Sequence, residues 1–557
     1  MNQTHYKYWP KRVPKSLVYP QTPLYDFIEI SARRYPDHPA VIYYGRRITY
    51  SELWTECLRM AGSLAGMGVT KGDRVALYLQ NSPHFMIGYL GGMRAGAVVV
   101  PMNPMLVASE FSHLLGDSGA KVVITTTDLY PRVADVCRGM GISEIIVGSY
   151  HDYLPEQPEL PVPEFMLQAP ARIEGTRDWP TTLAKSPNPP AVAVEMDDLC
   201  LLPYTAGSTG VPKGCMHTHA TITANIVSGM VWVQSNPAAV ILSTLPFFHV
   251  TGMVHSFLAP LAAGATSVLL TRWDRQAALA AIEKYEVTGW TNITTMLIDL
   301  LATPNLDVSS LSSLQAVGGG GAPLPAALSE KLKDNFGLSY MEGYGLTETI
   351  SQTHMNPPDR VKAGSIGVPV FDVDARIVDV STLKELPVGE QGEIVIEAPQ
   401  VFKGYWGKAE ETEKAFLELD GKRFFRTGDI GYMDEEGYFV VSDRLKRMIN
   451  AAGFKVWPAE VESILYRHPA VLEACVISVP DAERVENVKA LVVLRPEAVG
   501  KVTAEEIVKW SKEQMSAYKY PRLVEIVESL PKSGAGKVLW RQMQEDELAK
   551  RQKIAVK

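Results

Sequence analysis

Cysteine is scarce in this sequence: five residues, at 57, 137, 200, 215 and 475, with no CxxC pair among them. That excludes a disulfide framework and a cysteine-built zinc site. A strong charge of either sign is missing too. With 54 basic side chains against 62 acidic ones, the net charge of −8 on 557 residues leaves no footprint for nucleic acid. The hydrophobic content of 46% is too high for a disordered chain, and no collagen-like or heptad-dominated composition is present. No internal repeat of solenoid type is visible.

Charge vanishes altogether over one stretch. From Gly214 to Thr271, 58 residues in a row contain no Asp, Glu, Lys or Arg. A membrane-spanning helix needs about 20 predominantly apolar residues. Here Pro237, Pro246 and Pro260 interrupt the run, and His217, His219, Asn225, Gln234, Asn236, His249 and His255 punctuate it. The longest clean part, 257–270, has 14 residues and includes a proline and a glycine. The stretch reads as buried core with a pocket, and no transmembrane segment is expected. Residues 1–19 are polar and basic, without the apolar region of a signal peptide. The closing Lys-Ile-Ala-Val-Lys is neither a prenylation box nor a peroxisomal address. A soluble cytoplasmic protein is the expectation.

What is present is length enough for two or more domains. From residue 22 to 148 apolar helical stretches alternate with β-branched runs. The pattern predicts a helix over 26–34, a strand over 40–44, and a helix from the Thr49/Glu52 capping box to about Met67. Further strands are predicted at 74–79, 97–100, 121–124 and 144–147. With helix-length spacers between them, they indicate parallel β/α layers. Residues 151–190 carry nine prolines and read as a surface excursion or linker. Alternation resumes near Leu199 and runs to about residue 400. The segment 424–442 reads as short strands turning at Gly428, Gly431 and Gly437. After Asp443 the pattern is compact α+β, with helices near 459–468 and 503–515 and strands near 474–479 and 490–494. The expected fold class is α/β: a large N-terminal domain of layered β/α subdomains (1–442) and a small α+β C-terminal domain (443–557).

The strongest local signal is Tyr204-Thr-Ala-Gly-Ser-Thr-Gly-Val-Pro-Lys-Gly214, directly after an apolar strand. Glycines let backbone N–H groups converge on an anion, hydroxyls add donors, and the lysine adds positive charge. Its spacing is not that of a Walker A loop. A second near-miss, Pro531-Lys-Ser-Gly-Ala-Gly-Lys537, makes better sense as a mobile lysine delivered by the small domain. Between them lie three more clusters. Gly318-Gly-Gly-Gly-Ala-Pro323 offers backbone without side chains. Gly343-Tyr-Gly-Leu-Thr-Glu348 offers an aromatic face, a hydroxyl and a carboxylate. Phe425-Arg-Thr-Gly-Asp429 places a carboxylate after a tight turn, where it could accept from ribose hydroxyls. No G-x-S-x-G elbow, HExxH pair or strand–GxGxxG–helix fingerprint accompanies them. His217 and His219 are read as hydrogen-bonded loop residues rather than zinc ligands.

Taken in order, these residues resemble the AMP-forming acyl-CoA synthetases, the superfamily that also holds firefly luciferase and peptide-synthetase adenylation domains. The likeness adds Pro246-Phe-Phe-His249, Asp443-Arg-Leu-Lys446 and Gly453-Phe-Lys-Val-Trp-Pro458, and covers essentially the whole chain. The resemblance implies a two-step reaction with ATP, Mg²⁺ and coenzyme A. A carboxylic acid and ATP give acyl-AMP and pyrophosphate, and CoA then displaces AMP. It implies that Thr205, Ala206, Gly207, Ser208, Thr209 and Lys213 cradle phosphates. Gly321, Ala322 and Pro323 would line one face of adenine and Tyr344 the other, with Glu342 and Gly343 beside them. Thr347 would contact the α-phosphate and Glu348 would hold Mg²⁺. Asp429 and Arg444 would take the ribose, and Lys537 would act in adenylation. Asp443 would be the hinge of a mobile small domain. Gly453 and Arg272 would face CoA. Ala206 departs from the usual Ser or Thr, and Asn450 and Ala452 stand where some plant aryl-CoA ligases carry lysines.

Family members wall the acid pocket with the region of His249, Val250, Thr251 and Gly252, and peptide-synthetase domains keep an aspartate there for the substrate amine. None is present here, so an amino acid is disfavoured. Gly319 and Gly320 would leave the pocket open, pointing to a medium- to long-chain fatty acid. Aryl or short branched acids, and an acyl-AMP ligase loading a carrier protein, are the alternatives; a luciferase-like oxygenase and a non-catalytic binding protein are more distant. A homodimer is left open.

Overall fold

The computed structural model describes the chain except residues 1–3, 170, 171, 187, 190, 207–210, 321–323, 325, 452, 453, 482–484, 517, 533–537, 556 and 557. The described chain divides into two compact units. The first holds 1–375, 396–425 and 435–439; the second holds 376–395, 426–434 and 440–557. The second unit thus begins earlier than Asp443. Its early segments are strand-forming, and partners within the unit hold them. The Arg426 guanidinium, for example, donates to Glu393 Oε2 at 2.7 Å, and Thr427 Oγ1 donates to the Ile394 carbonyl at 2.7 Å.

Two layered sheets build the first unit. One has seven strands in the order His217–Thr218, Leu199–Leu201, Val98–Met102, Arg74–Tyr78, Val122–Thr126, Glu144–Gly148 and Arg177–Asp178. All neighbours are parallel except the first pair. The other has nine strands. Its parallel centre runs Tyr340–Leu346, Ala316–Gly319, Gly289–Asn292, Val240–Ser243, Thr266–Leu269 and Pro39–Tyr43, with antiparallel strands at both edges. The continuous β-branched runs suit parallel strands covered on both faces. Helix Tyr50–Gly66 starts where predicted: the Thr49 side chain accepts from Glu52 N and Glu52 returns the bond. In the second unit, strands Val471–Asp481 and Val485–Leu494 pair antiparallel, helix Pro458–Leu465 packs on the first of them and helix Ala504–Gln514 on the edge strand Leu523–Ile526, an α+β arrangement. Among the described residues no helix is long and apolar enough to cross a membrane.

Two expectations need correcting. The proline-rich stretch is packed rather than a linker: it carries helix Trp179–Ala184 and buries Leu160, Met166, Trp179 and Leu183 in the core. Nor does the chain turn at Gly428 and Gly431, since one strand, Lys422–Met433, runs through both. Gly431 is glycine because a Cβ would stand 2.2 Å from the Val440 carbonyl. The turn is confined to the Gly437 region.

The uncharged stretch is core. It forms helix His219–Trp232, strand Val240–Ser243, a helical run over 250–262 and strand Thr266–Leu269. The middle of that run, Met253–Leu258, is wound as a π-helix, a form that concentrates at functional sites.

Candidate active site

The predicted phosphate loop is the tip of a small hairpin. Tyr204–Ala206 pairs antiparallel with Pro212–Gly214, with Thr205 opposite Lys213. The tip itself, with Gly207, Ser208 and Thr209, lies outside the described residues, as do Gly321, Ala322, Pro323, Gly453 and Lys537. Lys213 is buried, pairs with Glu411 and lies 4.8 Å over the Tyr405 ring.

Strand Tyr340–Leu346 runs into a one-turn 3₁₀ helix, Thr347–Thr349, and returns as strand Ser351–Met355. The turn carries Thr347 and the buried Glu348. Ile350, fully buried, closes it at φ +52°, a conformation that costs a β-branched residue and persists only where surroundings impose it. The surroundings here are neutral polar groups from the uncharged stretch. His217 Nε2 bonds the Thr347 carbonyl at 2.8 Å, and Asn225 Nδ2 donates to the carbonyls of Thr349 (3.2 Å) and Gln352 (2.9 Å). Gln352 returns a bond to the Asn225 carbonyl at 2.9 Å. Burial lowers the His217 pKa to about 4, and the Thr347 carbonyl opposes this only in part. His217 is therefore a neutral strut, consistent with its reading as a bonded residue.

Glu348 is tied to Lys213 through residues the sequence reading missed. The Tyr405 hydroxyl donates to Glu348 Oε1 at 2.8 Å. Burial, and then the Glu348 charge, push that hydroxyl far above its ordinary pKa, so it stays a donor. The segment around Tyr405 is stitched in place by backbone bonds: Phe402 N to the Glu348 carbonyl (2.8 Å), Met216 N to that of Gly404 (2.9 Å) and Trp406 N to that of Gly214 (2.8 Å). The one available signal was the Gly-Tyr-Trp triplet at 404–406, which carries no chemistry by itself.

Glu342 is buried, and Leu324 N donates to its Oε1 at 2.8 Å; burial raises its pKa against that bond. Gly343 and Tyr344 follow in the same strand, and the Tyr344 ring meets His354 edge-on at 5.7 Å. Gly319 and Gly320 answer to backbone rather than to an open pocket: a Cβ would stand 1.9 Å from the Asn292 carbonyl at the first and 2.5 Å from that of Gly343 at the second. His249 is exposed at the start of the 250–252 turn and accepts from Thr251 N at 3.4 Å; Val250 and Gly252 are buried and Thr251 half-buried. Arg272 is exposed, donates to Gln80 and lies 4.3 Å over the Phe165 ring.

In the second unit, Asp429 is buried and its Oδ1 lies 2.8 Å from Nε of the largely exposed Arg444. Asp443, also buried, accepts from Arg444 N at 2.7 Å and from Ala459 N at 2.6 Å. Burial raises its pKa although Arg447 opposes. Its carboxylate thus joins the strand end to the first turn of the next helix.

A buried carboxylate such as Glu348 fits Mg²⁺, which takes one or two carboxylates and completes its shell with water and substrate phosphate. Among the described residues no group of three or more His, Cys, Asp or Glu forms a protein cage. A metal at Glu348 would draw its other oxygens from a triphosphate.

Comparison with known proteins gives the family. Residues 28–406 match the AMP-binding enzyme family and 460–537 match the AMP-binding enzyme C-terminal domain. The chain is 36% identical to a long-chain-fatty-acid–CoA ligase of Bacillus subtilis, over 97% of both chains. It is 37% identical to a feruloyl-CoA synthase of an Amycolatopsis species, over 91% of this chain and 96% of that one. Among solved structures, ATP-bound MatB from Rhodopseudomonas palustris matches with a TM-score of 0.81 at 28% identity, over 93% and 98% of the two chains. This chain belongs to the AMP-binding enzyme family and is one of its acyl-CoA synthetases.

Proposed function

We propose that this ligase activates a medium- to long-chain fatty acid, with adenylation on the Lys213–Tyr405–Glu348 wall of the first unit. The observation that carries the reading is that wall: a buried lysine on a two-stranded ribbon and a buried carboxylate, both held by one tyrosine. A carboxylate becomes a good acyl donor once one oxygen is part of a leaving group. Attack on the α-phosphorus builds negative charge, which fixed cations and backbone donors stabilise. Lys213, with Thr205, Ala206, Gly207, Ser208 and Thr209, would bind the outer phosphates; Thr347 would bind the α-phosphate. Gly321, Ala322, Pro323, Glu342, Gly343 and Tyr344 would seat adenine, and Asp429 with Arg444 the ribose. Mg²⁺ held at Glu348 would neutralise phosphate charge. Lys537 would serve adenylation, Gly453 and Arg272 would meet CoA, and His249, Val250, Thr251 and Gly252, with Gly319 and Gly320 behind them, would wall the acid. We take Asp443 as the hinge between domains of residues 1–442 and 443–557, in a cytoplasmic enzyme.

The fatty-acid assignment is supported by the uncharged, buried 214–271 stretch and by the Bacillus relative. The feruloyl-CoA relative favours an aryl acid as a second reading. A carboxylate panel spanning short, long and aromatic acids, read by AMP release with and without CoA, separates them. Preference for an aromatic acid would overturn the first. Lys537→Ala should cut acyl-AMP formation at least a hundredfold yet spare thioester formation from supplied acyl-AMP; equal loss of both would refute its role.

A further inference from the structure

Lys213 presents a problem in the ligand-free chain. It is buried, and an ammonium taken out of water without a counter-charge is costly. Its ion-pair partner is Glu411. Glu411 sits on a six-residue helix, Ala409–Lys414, no residue of which is buried, and its side chain keeps 35% of its exposure against 10% for Lys213. The lysine is fixed, wedged over the Tyr405 ring in a β-ribbon; the carboxylate is at the edge of solvent and can leave at little cost.

We propose that Glu411 is a built-in stand-in for phosphate: it occupies Lys213 in the ligand-free enzyme and is displaced by the triphosphate, while Tyr405 holds Lys213 and Glu348 in register for the exchange. This rests on the adenylation site assigned above. Lys213 pairs with Glu411, whereas Glu348 accepts from the hydroxyl of the tyrosine over whose ring Lys213 lies. Glu348 is buried, and its tie is the neutral Tyr405 hydroxyl, which needs no displacement. Glu411 carries the opposite charge to its partner and would repel a polyphosphate if it stayed. The pair therefore sets a threshold: triphosphate binds in proportion to how well it outcompetes a carboxylate already in place. Thr412, the next residue, accepts from Tyr405 N through its Oγ1 at 2.9 Å, so that the helix bearing Glu411 is anchored to the tyrosine it serves.

The test uses the full chain and MgATP binding measured by calorimetry, with no acid present. Glu411→Gln keeps the shape and removes the charge; it should tighten MgATP about fivefold and lower the thermal midpoint of the ligand-free chain, a loss that saturating MgATP restores. Unchanged or weaker binding overturns the stand-in. Tyr405→Phe removes one oxygen; it should raise the Mg²⁺ concentration needed for half-maximal ATP binding several-fold, with full binding restored at saturating Mg²⁺. A Mg²⁺ dependence identical to the parent overturns the positioning role. Lys213→Met distinguishes the two levels of the argument. If it binds MgATP as the parent does, the adenylation site itself is misplaced. If it loses binding while Glu411→Gln changes nothing, the site stands and only the stand-in fails.

Discussion

The two units brace their cores with different polar groups. The first, although it buries the charged Lys213, Glu342 and Glu348 at the candidate site, holds the turn that carries Glu348 with neutral ones. His217 and His354 are fully buried, and His217, Asn225, Gln352 and Trp232 bond backbone carbonyls from segments more than a hundred residues away in the chain. The second uses charge. Arg447 pairs with Glu462, lies 3.8 Å from Asp443 and donates to the Val476 carbonyl at 3.2 Å, while Lys489 bridges Glu525 (2.6 Å) and Glu547 (2.8 Å). A neutral bond is short-ranged and exact in direction, which suits the strained turn that carries Glu348. A buried ion pair gains from several partners at once, which suits a small unit with little core.

Acid breaks the comparison most strongly. Burial lowers the pKa values of His217 and His255 to about 4 and that of His354 to about 3. Because these folded values lie below the unfolded value of about 6.5, the unfolded chain binds more protons between those limits. Stability from these histidines is complete above pH 6.5 and is lost as pH falls toward 4, on the order of 3 kcal/mol for each. Asp443, whose pKa burial raises, moves the other way. Hydrogen exchange followed peptide by peptide at pH 7 and pH 5 should therefore show the first unit loosening first. Simultaneous loosening of both would remove the distinction. Next in size is Arg447→Met, which strands the buried carboxylate of Asp443 and the half-buried one of Glu462. It should destabilise the second unit by about 3–5 kcal/mol in denaturant unfolding and leave the exchange protection of the first unit's helix Tyr50–Gly66 unchanged. The smallest effect compares like with like. Thr49 and Thr503 head capping boxes in the first and second units. Each Thr→Ala should cost about 1 kcal/mol, read as faster exchange of its own helix. A much larger loss at either would mean the cap is coupled to its unit's core.

Much of the fold could be read from local pattern. Strands Arg74–Tyr78, Val98–Met102, Val122–Thr126 and Glu144–Gly148 lie within a residue or two of expectation, because β-branched runs bounded by helix-length spacers leave few alternatives. The Thr49/Glu52 capping box is local and legible as letters. The 58 uncharged residues also announced burial, since nothing in them demands water. Their task at the site was not visible: His217 and Asn225 matter for which carbonyls they meet, and those lie beyond residue 346. Tyr405 and Glu411 escaped notice for the same reason, as did the N-terminal residues. Trp9, in the segment whose composition reads as polar and basic, packs edge-on against Trp232 at 4.8 Å and Phe371 at 5.4 Å.

By itself the sequence determined what is set by neighbours in the chain: the β/α alternation, the Thr49 cap, and the burial of the uncharged 214–271 stretch. Local geometry depends on residues within a turn or a strand, and these are adjacent in the text. Tertiary structure alone decided which carboxylate Lys213 faces, what holds Glu348, and why Gly319 and Gly320 are glycines. Those answers depend on distances between segments that only the folded backbone brings together.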